Sequence, residues 1–401
     1  MTELALKGGE KVRKRPFHQW PHYDERDLRN VDEVIRSRRW FAGMRGSDPD
    51  STTRKFEHKF SDFHQVSHGI ACCNGTAALE ISLRAAGVGV GDEVIVPGLT
   101  FIATMTAVLQ VNATPVVVDV LYDTQCIDPN AINEAITDRT RAIIPVHFGG
   151  FVCDMEHIMQ LAAKHNLVVV EDAAHAHGAI YRGQHAGSLG HLGAFSFQES
   201  KTMTAGEGGI ITTNDAELAE KAIMYRSCGR KEGESWYKHH LVASNHRLSE
   251  IQSALLLAQL ERLPDQLKMK NRNAGLLAKQ LANIEGVRPL PGDKNTSLNG
   301  YYLYLLQYDR NYFSGLSRDR FVEALEAEGI PCHIGYPWPL TRNPVFVKKE
   351  VDIPYAHLPV CDRICAETVV IPHRVLLSNP EELEDIGKAI QKIQKNTSEI
   401  L

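Results

Sequence analysis

The chain has 401 residues, of which 43% are hydrophobic and 23% are charged, values typical of a globular protein with a large core. Its formal net charge of −5 provides no basic field for nucleic acid or an anionic membrane surface. Eight cysteines without paired metal-ligand spacing indicate reduced thiols, and we see no signal-like apolar region or membrane-spanning stretch. We therefore expect a soluble, cytoplasmic protein that binds neither nucleic acid nor membrane.

The first part of the chain predicts an arm followed by alternating strands and helices. Residues 1–30 are polar and contain Pro16 and Pro21, which favours an extended N-terminal arm. Apolar runs that suit strands lie at 70–73, 92–97, 115–120, 142–146, 167–170, 194–197 and 210–213. Stretches with helical spacing lie at 32–38, 51–63, 77–86, 104–110, 155–163 and 216–227. This alternation predicts an α/β fold with a mostly parallel central sheet flanked by helices.

The second part of the chain changes character after a strongly periodic helix at 249–263. That helix closes the predicted large domain, residues 31–263. Beyond it we predict a charged helix that ends at Leu281 and then an apolar run, followed by helices that no longer alternate with strands. These segments lie at 301–306, 318–328 and 380–393. We therefore predict a smaller α+β domain over residues 264–401.

The stretch 167–209 carries the functional prediction. The run 167–170 suits a buried parallel strand, and Asp172 follows at its carboxyl end, where ligands bind in open α/β sheets. Lys201 lies downstream in a loop rich in Ser, Thr and Gly. Pyridoxal 5′-phosphate (PLP) needs both groups, an amine to hold its aldehyde as a Schiff base and an anion against its pyridine nitrogen. Taken singly, each residue favours a plain structural interpretation, in which Asp172 caps a turn and Lys201 is a solvated loop lysine.

Two earlier segments can contribute to the same site. Asn74-Gly75-Thr76 opens a predicted helix, and the free backbone N–H groups of a helix N-terminus bind phosphate. A plain N-cap without a ligand is the alternative. Phe101 follows the strand 92–97 and either stacks on an aromatic ring or belongs to the core.

Seven motifs, taken together, resemble the DegT/DnrJ/StrS aminotransferases, PLP-dependent enzymes of fold type I that aminate keto sugars and keto cyclitols. In chain order they are 74–79 (NGTAAL), 91–94 (GDEV), 97–101 (PGLTF), 171–178 (EDAAHAHG), 195–197 (FSF) with Lys201, 206–209 (GEGG) and 245–247 (NHR). The resemblance extends from about residue 8 to the C-terminus. It implies a large PLP-binding domain and ping-pong transamination.

The resemblance also implies a role for each matching residue. Lys201 would carry the internal aldimine and move a proton, and Asp172 would pair with the pyridine nitrogen. The other implied cofactor contacts are His175 with the phenolic oxygen, Phe101 with the ring, and Gly75, Thr76, Ser196 and Asn245 with the phosphate. Arg247, for the carboxylate of the amino donor, and Tyr336 are substrate candidates. Because Asn245 would reach in from a second subunit, we expect a homodimer with shared active sites.

The substrate is less closely defined than the chemistry. The sequence of residues 197–209 (FQESKTMTAGEGG) resembles the branch that uses glutamine with scyllo-inosose-type cyclitols or makes aminohydroxybenzoate more than it resembles the nucleotide-sugar branch. Gly149 and Thr341 stand where many members have an aromatic residue, in regions that face the substrate. We therefore expect an amino group to pass from glutamine or glutamate to a keto cyclitol or keto sugar.

Several alternatives stay open on the sequence alone. The chain can be a nucleotide-sugar aminotransferase, an aminohydroxybenzoate-synthase-like enzyme, or a catalytically idle PLP-binding regulatory protein. Related deoxysugar dehydratases have His where this chain has Lys201, which disfavours that activity. We predict no metal site, because the His64-x-x-x-His68 pair contains no glutamate and no third ligand is evident.

Overall fold

A computed structural model describes residues 3–41, 50–348, 353 and 356–401. The helices are α1 (Glu25–Ser37), α2 (Thr52–His64), α3 (Gly75–Ala85), α4 (Ala103–Gln110), α5 (Pro129–Ala135), α6 (Met155–His165), α7 (Ala216–Arg226), α8 (Glu250–Leu281), α9 (Arg318–Ala327), α10 (Pro344–Val347), α11 (Pro359–Glu367) and α12 (Pro380–Lys395). The strands are β1 (His68–Cys72), β2 (Glu93–Pro97), β3 (Thr114–Val118), β4 (Thr140–Ile143), β5 (Val168–Asp172), β6 (Ile180–Tyr181), β7 (Gln184–His185), β8 (Leu192–Ser196), β9 (Gly209–Thr213), β10 (Val287–Pro289), β11 (Thr296–Leu298), β12 (Leu303–Tyr308) and β13 (Thr368–Pro372).

Within the described residues, seven strands form the central sheet in the order β1-β9-β8-β5-β4-β2-β3. Strands β8, β5, β4, β2 and β3 are parallel, and β9 is antiparallel to both β8 and β1. Every residue of β2, β8 and β9 is buried, as expected for a sheet covered on both faces. The predicted α/β fold with a mostly parallel central sheet is confirmed.

Two helices differ most from the prediction. Helix α1 begins at Glu25 rather than at residue 32, because the Asp24 and Asp27 side chains form a capping box at its start. Helix α8 runs unbroken from residue 250 to 281 with Pro264 inside it, where we predict two helices. The boundary that we predict between the domains, after residue 263, therefore lies within one helix. Buried residues on both sides of Pro264 keep that helix packed despite the lost backbone donor.

The C-terminal part has its own small sheet and core. Strands β10, β12 and β13 form an antiparallel sheet, and β11, β6 and β7 form another. The core beside β12 contains Phe313 and Phe321, and it also includes Leu4 and Phe17 from the N-terminal segment. The N-terminal segment therefore packs into the C-terminal core.

All eight cysteines are free thiols. Among the residues that the structure describes, no helix is both long enough and apolar enough to cross a bilayer.

Candidate active site

A cavity of about 460 Å³ opens beyond the carboxyl ends of β2, β5 and β8. This is the edge at which open α/β sheets bind ligands. The predicted site residues that line it are Gly75, Thr76, Phe101, Asp172, His175, Ser196, Lys201 and Tyr336. Strands that are distant in the chain thus bring the predicted acid, the predicted lysine and the predicted phosphate turn to one place.

Asp172 ends β5 and is only 7% exposed. Its Oδ2 accepts a hydrogen bond from the Thr104 hydroxyl at 2.9 Å, and its Oδ1 accepts one from the Ala174 N–H at 3.2 Å. Burial raises the pKa of the Asp172 carboxyl, and these two hydrogen bonds and the charge of Lys201 partly oppose that shift. Each carboxylate oxygen keeps a further lone pair, so Asp172 can still accept a ligand donor.

Lys201 lies in the loop between β8 and β9, where its N–H donates to the Gln198 carbonyl at 2.9 Å. Its Nζ lies 4.3 Å from the centroid of the Tyr302 ring. Desolvation lowers the pKa of the Lys201 amine to about 8, although the negative charge of Asp172 acts in the opposite direction. A substantial fraction of the amine is therefore neutral near pH 8, as a nucleophile or a base requires.

The N-terminus of α3 forms another wall of the cavity. Asn74 caps this helix by accepting the Ala77 N–H at 2.8 Å, while the N–H groups of Gly75 and Thr76 have no intrahelical acceptor by position. A Cβ on Gly75 would lie 2.7 Å from the Ser196 Cβ, so only glycine permits this close approach. Two free N–H groups, the helix dipole and the Ser196 hydroxyl form a suitable anion site.

His175 is buried and its Nδ1 accepts the Gly149 N–H at 3.3 Å. Burial and the nearby Lys201 charge lower the pKa of His175, so its imidazole is neutral. A neutral ring that accepts at Nδ1 carries its proton on Nε2. His175 is thus a donor at Nε2. Gly149 has φ +65°, and a Cβ there would lie 2.7 Å from Leu305 Cδ1, so a larger residue would be strained and would displace the Leu305 side chain.

The two aromatic predictions differ in their surroundings. Phe101 is 58% exposed at the rim of the cavity, so the alternative that it belongs to the core is wrong. Tyr336 lines the cavity, with its ring 5.8 Å from that of Phe148, and burial raises its pKa. Phe101 therefore remains free to stack on a ligand ring.

Asn245 and Arg247 do not line the cavity of their own chain. Asn245 is exposed, and its Oδ1 accepts the Arg247 N–H at 3.2 Å. The Arg247 guanidinium lies 5.0 Å from the centroid of the Phe41 ring. The structure thus brings together eight of the ten predicted site residues and leaves these two outside.

Sequence reasoning missed Thr104 and Tyr302. Thr104 is fully buried and shares a 2.8 Å hydrogen bond with the Thr100 hydroxyl as well as donating to Asp172. The spacing of four residues between Thr100, just before α4, and Thr104, in its first turn, was the available signal. Tyr302 lines the cavity beside Lys201, and its place in an apolar run gave no signal.

His64, the first member of the rejected metal pair, is buried in an aromatic cluster. Its ring stacks on that of Phe60 with centroids 4.1 Å apart, and its Nδ1 lies 3.1 Å from the Phe60 carbonyl oxygen. Burial lowers its pKa well below the ordinary value. His64 is thus a core residue.

Known proteins resemble this chain over its whole length. A putative L-glutamine:3-amino-2,3-dideoxy-scyllo-inosose aminotransferase of Streptoalloteichus tenebrarius is 38% identical over 98% of both chains. An L-glutamine:2-deoxy-scyllo-inosose aminotransferase of Streptomyces paromomycinus is also 38% identical, again over 98% of both chains. The crystal structure of 3-amino-5-hydroxybenzoic acid (AHBA) synthase superposes with a TM-score of 0.88 and 34% identity, covering 95% of this chain and 99% of the other.

The DegT/DnrJ/EryC1/StrS aminotransferase family matches residues 21–391. The family resemblance indicated by the seven motifs is confirmed. The predictions that the chain is an aminotransferase and that it has fold type I are also confirmed. The chain belongs to the DegT/DnrJ/EryC1/StrS aminotransferase family.

Proposed function

We propose that this chain uses PLP to transfer the α-amino group of L-glutamine to a keto cyclitol of the scyllo-inosose class. The observation that carries the proposal is that Asp172 and Lys201 line one cavity together with the free N-terminus of α3. Relatives at 38% identity bear names that specify L-glutamine and a scyllo-inosose, which supports this choice of donor and acceptor.

The residues of the cavity fit PLP. The N–H groups of Gly75 and Thr76 suit a phosphate, and only glycine permits the close approach of position 75 to Ser196. Asp172 keeps acceptor capacity for a protonated ring nitrogen, and Lys201 supplies a partly neutral amine for the aldehyde. His175 has an Nε2–H for the phenolic oxygen. When bound, PLP supplies the electron sink that makes the substrate C–H bond acidic.

The chain's own residues provide binding and proton transfer. Lys201 Nζ, with a pKa of about 8, can remove the proton from the donor carbon and return one to the acceptor carbon. Over a full cycle the donor carbon is oxidised from amine to ketone and the acceptor carbon is reduced from ketone to amine. Glutamine thus becomes a 2-oxo acid amide, and no external oxidant is consumed.

Isotope transfer tests the proposed donor and acceptor. The protein is incubated with PLP, α-¹⁵N-glutamine and, separately, scyllo-inosose, 2-deoxy-scyllo-inosose, a nucleotide-linked keto sugar and an aminohydroxybenzoate precursor. We expect ¹⁵N in the aminocyclitol by mass spectrometry, and no label when the ¹⁵N is in the side-chain amide. Label in only the nucleotide sugar or only the benzoate would replace the proposed acceptor. No transfer to any acceptor would favour an idle PLP-binding protein.

Lys201→Ala tests the proposed attachment point. Borohydride added to the PLP-loaded wild type is expected to fix the cofactor on the peptide that contains Lys201, and the variant is expected to lose this adduct and all turnover. Lys55→Ala, at an exposed lysine of α2, is the matched control and should behave as wild type. An adduct on another lysine, or transamination by Lys201→Ala near the wild-type rate, would contradict the assignment.

We also propose that the active enzyme is a homodimer in which Asn245 completes the partner's site. Asn245 lies outside its own cavity, and the neighbouring loop exposes Trp236 at 70%, Tyr237 at 73% and Val242 at 98%. Such an apolar surface suits a second copy of the chain.

Subunit mixing tests this arrangement. Asn245→Ala and Lys201→Ala are each expected to be nearly inactive. In a mixed dimer, the intact Lys201 of one chain would meet the intact Asn245 of the other, so activity should return to up to half per dimer. If Asn245 served its own chain, both sites of the mixed dimer would stay inactive.

A further inference from the structure

Tyr302 makes contacts with three groups of the site at once. Its ring lies 4.3 Å from Lys201 Nζ, and its centroid lies 4.3 Å from that of the His175 ring. Its hydroxyl shares a 2.8 Å hydrogen bond with the Ser200 hydroxyl, next to Lys201 in the chain. Among the described residues, Tyr302 alone combines a cation–π contact with Lys201 and a ring–ring contact with His175.

Side chains of α8 hold the turn that carries Tyr302. The buried Lys270 amine donates to the Gly300 carbonyl, and it lies 3.5 Å from the Tyr301 carbonyl oxygen. The Asn271 side chain both accepts the Asn299 N–H at 2.9 Å and donates to the Asn299 carbonyl at 2.8 Å. Two successive side chains of one helix therefore fix the backbone before Tyr302.

The same turn is pressed against the segment that carries His175. A Cβ on Gly300 would lie 2.9 Å from both the Ala176 Cα and the His175 carbonyl oxygen. The Gly300 N–H donates to the Gly150 carbonyl at 3.1 Å, and Tyr301 has φ +41°, a left-handed conformation that costs energy outside glycine. The position of Tyr302 is thus determined by several contacts, although the turn itself is strained.

The groups around the Lys201 amine differ in charge. Asp172 attracts the Lys201 charge, while the buried rings of His175, His177 and His373 lie close enough to be affected by it. Burial lowers the pKa of each of these three histidines, so they are neutral and neither attract nor repel the ammonium as charged groups. An aromatic face is a cation-binding surface that needs no counter-charge.

We propose that Tyr302 is a positioning residue whose ring face holds the Lys201 amine whenever that amine is not bonded to the cofactor, and whose tilted contact with the His175 ring keeps His175 in place. The inference rests on the proposed function, since it concerns the amine that we assign to PLP. It explains how a lysine on a loop returns to one position after each half-reaction. It predicts that the electron density of the ring, rather than its bulk, matters for Lys201.

The experiment compares rings of similar size in the full-length protein without PLP. Wild type, Tyr302→Phe, Tyr302→Leu and a protein with 4-cyanophenylalanine at position 302 are labelled with trinitrobenzenesulfonate from about pH 6 to about pH 10. Peptide mass spectrometry gives the labelling rate at Lys201 and, as an internal reference, at the exposed Lys55. The midpoint of each rate curve reports the pKa of that lysine.

We expect the Lys201 midpoint of wild type and Tyr302→Phe near 8. An electron-poor cyano ring keeps the burial but weakens the cation contact, so its midpoint should fall by about 0.5 to 1 unit, and so should that of Tyr302→Leu. Lys55 should not move, and Tyr312→Leu, at a tyrosine 50% exposed outside the cavity, should match wild type.

The outcomes separate this inference from the proposed function. An unchanged or raised Lys201 midpoint in the cyano variant would overturn the role of the ring. This outcome can be read even if Tyr302→Leu fails to fold. Failure of wild type to take up PLP would instead refute the proposed function, whatever the labelling shows. With PLP uptake intact, Tyr302→Phe should retain most of the turnover and the cyano variant should lose about tenfold in kcat with little change in KM.

Discussion

The two acids that end β5, Glu171 and Asp172, point to opposite faces of the sheet and have different partners. Glu171 is fully buried, and its carboxylate is saturated. Its partners are the N–H groups of Gly187, Leu189 and Gly190, at 2.8, 2.8 and 2.6 Å, and His147 Nε2 at 2.8 Å. Among the described residues, the Asp172 carboxylate accepts hydrogen bonds from only the Thr104 hydroxyl and the Ala174 N–H.

The difference separates a structural acid from a ligand-binding acid. A carboxylate has about four lone-pair sites, and Glu171 uses them all on protein donors. Asp172 leaves capacity that faces the cavity, at the cost of a raised pKa. Of two neighbouring acidic residues, Glu171 thus serves stability and Asp172 serves ligand binding.

Asp172→Asn gives the largest expected effect. Asparagine keeps the shape but provides no negative charge for a ring nitrogen, so turnover should fall about 10²–10³-fold. The measurement is steady-state transamination with glutamine, with Asp62→Asn on the exposed face of α2 as the control. A rate for Asp172→Asn within twofold of wild type would remove Asp172 from the chemistry.

Glu171→Gln should affect stability rather than chemistry. The new amide NH₂ must face either His147 or the N–H groups of the 187–190 turn, so a buried donor loses its acceptor. We expect a loss of about 2–4 kcal/mol in the free energy of unfolding. Urea unfolding measures it, with the exposed Glu134→Gln as control. A stability equal to wild type would show that Glu171 is not saturated as described.

Much of the site could be predicted because its parts follow local rules. Asp172 follows a buried run, Gly75 and Thr76 open a helix, and Lys201 lies in a Gly-rich loop. The parallel order of the strands then brings these ends to one edge of the sheet. Local pattern and sheet topology are therefore enough to place the acid, the lysine and the phosphate turn together.

The contacts that sequence reasoning missed are long-range. Thr104 reaches Asp172 across 68 positions, and Tyr302 reaches Ser200 across 102. The local spacing of Thr100 and Thr104 does not identify Asp172 as the partner, because each of these pairings depends on how the strands and α8 pack. The unbroken α8 is a second case, since tertiary packing outweighs the helix-breaking tendency of Pro264.

Thr104→Val tests what distinguishes Asp172 from Glu171 more finely. The change keeps the side-chain shape but removes a hydroxyl that favours the charged carboxylate, so the pKa of Asp172 should rise further. We expect turnover at neutral pH to fall about fivefold to tenfold, and the acidic limb of the pH–rate profile to move to higher pH. Thr106→Val, whose hydroxyl donates within α4 to Ala103, is the matched control. An unmoved acidic limb would show that Thr104 does not support the charge.

The smallest effect concerns the stability of the protein without PLP. The pKa of Asp172 is raised in the folded chain above its ordinary value of 3.8. Between 3.8 and that raised pKa the folded state binds more protons than the unfolded state, so the free energy of unfolding falls as pH rises. At pH 7 the acidic side chain of Asp172 therefore costs stability relative to a neutral one, and Asp172→Asn should be slightly more stable than wild type, by less than Glu171→Gln loses. Below about pH 3.8 both side chains are neutral and the difference should vanish.

Added PLP should reverse the order, because the ligand stabilises the chain that binds it more tightly. Urea unfolding at several pH values, with and without PLP, measures these differences. A variant less stable than wild type at pH 7 without PLP would mean that Asp172, like Glu171, serves the fold.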